Sequence, residues 1–233
     1  MSSVMFAGEE IPITVVRSAR RRTVGITVKE SGEVILRIPP HVTEDEALFF
    51  AQEKAEWIFR HREKFAVRER VVREYADGDV MPFFGRELTI SRVEGPVVRA
   101  EIAGDTLRLT GPFGTDASVF REAVIFLFRR EGLKLLRPLV AEVSAAAGVL
   151  PPEIRIREQK GKWGCCTPKN GIIFNVRVLL SPLPVIRYLA VHEVVHVKHR
   201  HHQESFWAEV ERIMPQFRDA ERLLKEQGWT WVF

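Results

Sequence analysis

The sequence is poor in cysteine, and this restricts the kinds of protein that it can encode. Its two cysteines, Cys165 and Cys166, are adjacent in a chain of 233 residues. A disulfide between neighbours strains the peptide that joins them, so we expect no disulfide framework. Two cysteines are also too few for a cysteine-rich zinc site. Because free thiols persist in reducing compartments, we expect a cytoplasmic location.

Long apolar runs are also missing. No stretch approaches the roughly 18 to 20 apolar residues that would cross a bilayer, and the opening MSSVMFAGEEIPITVV lacks the basic start and cleavage site of a signal peptide. Neither sign of charge dominates, since 35 basic residues face 31 acidic ones for a net charge of +4. We expect no membrane partner, whereas a weakly basic chain can accept an anionic partner such as a nucleotide or nucleic acid.

The pattern of the chain changes near residue 115, which predicts an α+β protein of two parts. In residues 1–115, β-branched runs predict strands at 13–16, 23–28 and 33–38 and further short strands between 80 and 111. The turn Glu30-Ser31-Gly32 separates the last two strands of the first group. A capping box of Thr43 and Glu46 begins a helix that we expect to reach about residue 70.

Residues 116–233 are predicted to be mostly helical with a short sheet. A long helix is expected over 117–147, with Pro138 as a candidate kink. A strand at 153–158, a glycine-rich turn at 161–171 and a second strand at 171–176 follow. The last predicted helices are one opened by Ser181-Pro182, one that begins near Glu204, and one over about 216–227.

The first of these later helices carries the string His192-Glu193-Val194-Val195-His196. Residues four apart lie on one face of a helix, so the two imidazoles can reach one metal ion. Glu193 lies beside them without being forced to bind the ion, which is the arrangement of an HExxH zinc helix with the glutamate as general base. Because the flanking residues are apolar almost all round, we expect a buried helix and not a solvated one.

A catalytic zinc needs a third protein ligand and an open position for water. A third histidine on the same helix would give poor tetrahedral geometry, which counts against His199. His202 would approach from another side if the chain reverses its direction before it. His201, Glu209 and Glu211 are the other candidates, and the residues alone leave the choice open.

The motifs along the chain resemble the YgjP-like metallopeptidase family, which is related to SprT-type and WLM-type zinc proteases. The resemblance covers most of the chain. It is carried in order by Trp57-Ile58, Phe84-Gly85-Arg86, Lys162-Trp163-Gly164-Cys165-Cys166, Gly171-Ile172-Ile173-Phe174-Asn175, the HEVVH string, and His202 followed by Phe206-Trp207.

This resemblance implies a zincin-like C-terminal unit, a Zn²⁺ cofactor, and cleavage of peptide bonds in a peptide or protein substrate. It also implies His202 as the third metal ligand. The chain departs from the family pattern where His201 replaces Asn, Gln203 replaces Ser and Cys165 replaces Ser. None of these departures removes a residue that the metal chemistry needs.

The remaining roles are open in the sequence. Asn175 and His201 are candidates for binding substrate, and the strand near 171–176 could pair with an extended peptide. The donors that could stabilise an oxyanion are His201, Arg200, Lys198 and Tyr188. The oligomeric state is not indicated.

Two alternatives rest on charge. A zinc-bound hydroxide can also attack phosphorus, and a nucleotide's phosphates could be held by Arg17, Arg20, Arg21, Arg22, Lys160 and Lys162. A nucleic-acid-associated protease is the other alternative, by analogy with the SprT-type and WLM-type relatives. A purely structural metal would not need an acid beside its ligands, so Glu193 argues against that role.

Overall fold

The computed structural model describes residues 2–29, 31–70, 73–159 and 161–233, and it describes residues 64, 65 and 67–70 by their backbone alone. Two compact units result, Met1–Val72 and Arg73–Phe233. The division that we predicted at residue 115 lies inside the second unit. The reason is that Leu107 of a strand and Phe120 of the following helix belong to one hydrophobic core.

The first unit is a four-stranded sheet followed by two helices. Its sheet has the order β1-β2-β4-β3, and its elements are β1 (Ser3–Phe6), β2 (Glu9–Arg17), β3 (Gly25–Val28), β4 (Val34–Ile38), α1 (Glu44–Glu53) and α2 (Ala55–Arg70). Ile11, Leu36 and Ile38 pack against Ala51 and Ile58 to form its core. Alternating buried and exposed residues along β2 explain why this strand covers the helices with one face only.

Local signals of the sequence set several features of this unit. Strands β3 and β4 pair antiparallel as a hairpin, with Gly32 in the left-handed region at φ +78°; Glu30 of the predicted turn lies outside the described residues. The capping box of Thr43 and Glu46 is present. The predicted single helix is interrupted at Lys54, whose N–H bonds to the carbonyl of Ala51 in a tighter turn.

The second unit begins with another four-stranded sheet and a long helix. The sheet order is β5-β6-β8-β7, and the elements are β5 (Val80–Phe83), β6 (Arg86–Glu94), β7 (Arg99–Ala103), β8 (Thr106–Gly111) and α3 (Ala117–Ala147). Helix α3 continues through Pro138 without a break. It ends at Gly148, which adopts the left-handed conformation that terminates helices.

A short three-stranded sheet follows, and its order corrects one expectation. Its strands are β9 (Ile154–Arg157), β10 (Gly164–Cys166) and β11 (Ile172–Asn175), in the order β10-β11-β9. Strand β11 is paired on both sides, antiparallel to β10 and parallel to β9. The expectation that residues near 171–176 offer a free edge is therefore wrong. The edge strands are β9 and β10, and β10 lies inside the segment that we predicted as a turn.

Three helices complete the second unit: α4 (Leu183–Val195), α5 (Glu204–Ile213) and α6 (Phe217–Gln227). A β-rich N-terminal region followed by a helical region with a short sheet confirms the predicted α+β class. Within the described part of the chain, no helix combines the length and apolar character needed to cross a membrane. The cytoplasmic location stays a prediction.

Candidate metal centre

Helix α4 carries two of the candidate ligands at its C-terminal end. Apolar residues surround the helix, and Ile186, Ala190, Val191 and Val194 are fully buried, so the helix lies in the core of the second unit. His192 lies in the last turn and His196 is the C-terminal cap. Their four-residue spacing places both rings on one face, as predicted.

Three imidazoles converge on one point. The Nε2 atom of His192 lies 3.2 Å from Nε2 of His196 and 3.1 Å from Nε2 of His202. The ligand atoms of these histidines all lie within 4.8 Å of one another, and no other metal-ligating cluster occurs among the residues that the structure describes. Of the candidates for the third position, the structure therefore brings His202 to the pair.

His202 reaches the site because the chain reverses direction between α4 and α5. The indole Nε1 of Trp207 donates a hydrogen bond to the carbonyl of His202 at 3.1 Å. The buried ring of Phe206 lies under all three imidazoles, with centroid distances of 4.9, 4.6 and 4.8 Å to His192, His196 and His202. Phe206 and Trp207, which follow His202 in the last of the motifs quoted from the sequence, therefore support the site.

The donor set fits a metal ion. Nitrogens bound to a tetrahedral zinc at 2.0–2.1 Å lie about 3.3 Å apart, close to the separations found here. His196 Nδ1 lies 2.8 Å from the carbonyl of His199, which fixes the proton on Nδ1 and leaves Nε2 free to bind. A proton on Nε2 of His192 could be donated to only one of the two neighbouring Nε2 atoms. A cation, in contrast, could be bound by all three nitrogens.

Desolvation keeps the two helix imidazoles neutral. Burial, together with the neighbouring His196 and His202, lowers the pKa of His192 to about 3. Burial also lowers the pKa of His196. Metal binding requires the neutral imidazole, so no proton has to be displaced from these two side chains near neutral pH.

The other candidate ligands have different contacts. His199 Nδ1 lies 3.3 Å from the hydroxyl of Ser205, and the exposed His201 accepts a hydrogen bond from the backbone of Gln203. Glu209 accepts two hydrogen bonds from the guanidinium of Arg212, at 2.9 and 3.0 Å. Glu211 is exposed. The described residues do not bring any of these four candidates to the three imidazoles.

Glu193 is buried beside the three imidazoles. Burial raises the pKa of its carboxyl from 4.5 to about 7, although the backbone N–H of Cys166 and the charge of Lys162 lower it. Its Oε2 atom is buried and has no hydrogen-bond partner within the described structure. A carboxylate with a free lone pair and a pKa near neutrality is suited to proton transfer.

Asn175, a candidate substrate-binding residue, is directed into the protein. It is 1% exposed. Its Nδ2 donates to the carbonyls of Gln159 and Lys162 at 2.6 and 2.8 Å, and its Oδ1 accepts from the N–H of Arg177 at 3.2 Å. The side chain therefore fixes the segment that leads into β10, and its polar groups are already satisfied by the chain.

Arg200, a candidate oxyanion donor, instead fixes the loop that carries His202. Its Nη1 donates to the carbonyl of Thr167 at 2.8 Å and lies 3.3 Å from the Sγ of Cys166, and its Nη2 donates to the side chain of Asn170. The guanidinium thus joins the loop after α4 to the β10–β11 turn. The sequence shows an arginine between two histidines, with no signal of this long-range contact.

The remaining candidate oxyanion donors and the candidate phosphate-binding residues make contacts of other kinds. Lys198 lies 3.7 Å from Glu209, and Tyr188 is buried with its ring 5.8 Å from that of His192. In the first unit, Arg17 donates to the backbone carbonyls of residues 40 and 42 and so belongs to the fold of that unit. Lys160 lies outside the described residues.

Comparisons with known proteins agree with the geometry. The family model described as "YgjP-like, metallopeptidase domain" matches residues 22–227, and no curated protein gives a significant match. Among solved structures, the metallopeptidase zymogen of Pyrococcus abyssi abylysin matches with 25% identity and a TM-score of 0.36, over 38% of this chain and 91% of its own.

The third ligand can be tested by metal content. We expect about one metal ion per chain when the protein is purified with added zinc, and a loss of at least about tenfold in affinity for His202→Ala. The matched controls His199→Ala and His201→Ala are expected to retain the metal. An unchanged metal content in His202→Ala would show that another residue is the third metal ligand.

The contact of Arg200 predicts a second effect on the metal. Arg200→Lys keeps the charge but loses the two-pronged contact with Thr167 and Asn170. We expect a several-fold weaker metal affinity with an unchanged number of sites, measured by titration with a chelating competitor. Arg222→Lys, which alters an exposed arginine paired with Asp219, is expected to bind as the unchanged protein does.

The raised pKa of Glu193 predicts a pH-dependent stability of the metal-free protein. The folded-state pKa of about 7 lies above the ordinary 4.5. The protonated carboxyl of Glu193 therefore contributes fully to the free energy of unfolding below about pH 4.5, and this contribution is lost as the pH rises through 7. Glu193→Gln is expected to raise the free energy of unfolding by about 1 to 3 kcal/mol at about pH 8 and to change little at about pH 4.5. Denaturant unfolding at both pH values checks this, with the exposed Glu211→Gln as control; an equal effect at both would contradict it.

Proposed function

The chain belongs to the YgjP-like metallopeptidase family, and on that premise we propose that it is a zinc-dependent peptidase with Glu193 as its general base. The observation that carries this proposal is the convergence of His192, His196 and His202 beside a buried carboxylate. Three imidazoles form a donor set typical of catalytic zinc, which leaves a position for water.

Zinc bound by these three histidines would act as a Lewis acid and lower the pKa of a water molecule toward about 7. The chain supplies the proton transfer. Glu193 is held by the N–H of Cys166, and its free Oε2 can accept a proton from water and donate it to the leaving amine.

Strand β10 is the edge that we propose for binding an extended peptide. The N–H of Asn175 in β11 donates to the carbonyl of Trp163, and the N–H of Thr167 donates to the carbonyl of Gly171 just before β11. Because neighbouring residues of an antiparallel strand face opposite edges, the backbone groups of Gly164 and Cys166 point away from β11. The N–H of Cys166 already donates to Glu193, so the groups left for a peptide are those of Gly164 and the carbonyl of Cys166, on the side of the catalytic carboxylate.

A peptide added to this edge would be held through its backbone, with limited dependence on its side chains. We therefore propose a peptide or an unfolded protein segment as the substrate. The phosphate alternative has less support, because Arg17 is used within its own unit and the described contacts do not form a phosphate cradle around Lys162.

Glu193→Gln tests the proposed mechanism. The amide keeps the size of the side chain but cannot accept the proton, so we expect the protein to keep its zinc and lose at least about a hundredfold in kcat. Hydrolysis of a quenched fluorescent peptide library and zinc content would be measured on the same preparation. Activity that survives in Glu193→Gln would rule out Glu193 as the general base. Zinc-loaded protein without activity on any peptide of the library would reject the proposed peptidase function.

A further inference from the structure

We propose that strand β10 is a positioning element for the catalytic carboxylate, in which Gly164 leaves the space that the side chain of Glu193 occupies. The catalytic consequence rests on the proposed function. The contact itself does not, because it is a packing relation between a strand and helix α4.

The contact is close. A Cβ atom added to Gly164 would lie 2.7 Å from Oε1 of Glu193 and 3.0 Å from both Cδ and Cγ. The backbone of Gly164 does not explain the glycine, since its φ is not positive and any residue can adopt it. The missing side chain is therefore explained by the carboxylate that lies against it.

The strand is fixed and cannot easily move away from an added methyl group. Gly164 pairs with the buried Phe174 in the sheet. The preceding segment is fixed by Asn175, whose Nδ2 binds the carbonyls of Gln159 and Lys162 and whose N–H binds the carbonyl of Trp163.

Trp163 in turn is packed between aromatic and cationic groups. The guanidinium of Arg177 lies 4.6 Å from the centre of the Trp163 ring, and the ring of Trp231 meets it edge-on at 5.7 Å. A Cβ on Gly228 would approach the Trp163 ring to 2.7 Å. The segment that enters β10 is thus fixed from two sides, so a methyl group on Gly164 would displace the carboxylate and not the strand.

Displacement of the carboxylate has a specific consequence. The N–H of Cys166, two residues along the same strand, donates to Glu193, and a displaced carboxylate would no longer keep this bond in its present geometry. The three imidazoles lie on other segments and keep their mutual contacts. We therefore expect a change in the rate of the chemical step with little change in metal content, since a small displacement of a catalytic group costs rate.

Gly164→Ala tests this inference, and Gly161→Ala is its matched control. Gly161 lies in the same segment, but its added Cβ would meet nothing within 4 Å, and its φ is not positive. We expect Gly164→Ala to lower kcat by at least about tenfold, with KM and zinc content within about twofold of the unchanged protein. Gly161→Ala is expected to match the unchanged protein. A Gly164→Ala variant with full kcat would overturn the proposal.

A stability cycle tests the contact without any peptidase assay. In the metal-free protein, Gly164→Ala should lower Tm when Glu193 is present and should have no such cost in Glu193→Ala, where the carboxylate is absent. Recovery of folding in the double variant, if the single variant fails to fold, supports the contact in the same way. An equal loss of Tm in both backgrounds would refute it. The absence of peptidase activity in the unchanged protein would reject the proposed function and leave the cycle to decide the contact.

Discussion

The burial of helix α4 is the constraint on which the rest of the second unit depends. The helix carries two imidazoles and a carboxylate into an apolar core. A polar group that is buried there without a hydrogen-bond partner destabilises the folded protein. Each of these groups therefore needs a partner. His196 has the carbonyl of His199, Glu193 has the N–H of Cys166, and the three imidazoles share the position that suits a metal ion.

The surrounding elements fix the helix at both ends. At its start, the N–H of Phe84 donates to the carbonyl of Leu179 at 2.6 Å, and a Cβ on Gly85 would approach the side chain of Leu183 to 2.5 Å. The β5–β6 turn thus packs against the beginning of α4. At the other end, Arg200 joins the loop after α4 to the β10–β11 turn. The motif around Phe84 therefore supports the helix.

Within this frame, the candidate metal ligands and the proposed base are positioned by different parts of the chain. Trp207 of α5 donates a hydrogen bond to the carbonyl of His202, and the ring of Phe206 packs against the imidazole of His202. Strand β10, in contrast, lies against Glu193. A change in one part can therefore affect the metal without the base, or the base without the metal. This separation holds for Phe206 and Trp207 on one side and Gly164 on the other, whereas Arg200 joins the two parts through its contact with Cys166.

The sequence alone was sufficient for features that depend on local geometry. The spacing of His192 and His196 predicts a shared helix face, and the capping box of Thr43 predicts a helix start, because both involve residues within one helical turn. The choice of His202, the closed edge of β11, the contacts of Arg200 and the space at Gly164 were decided by tertiary structure. Each joins segments far apart in the chain, and periodicity carries no information about which of them meet.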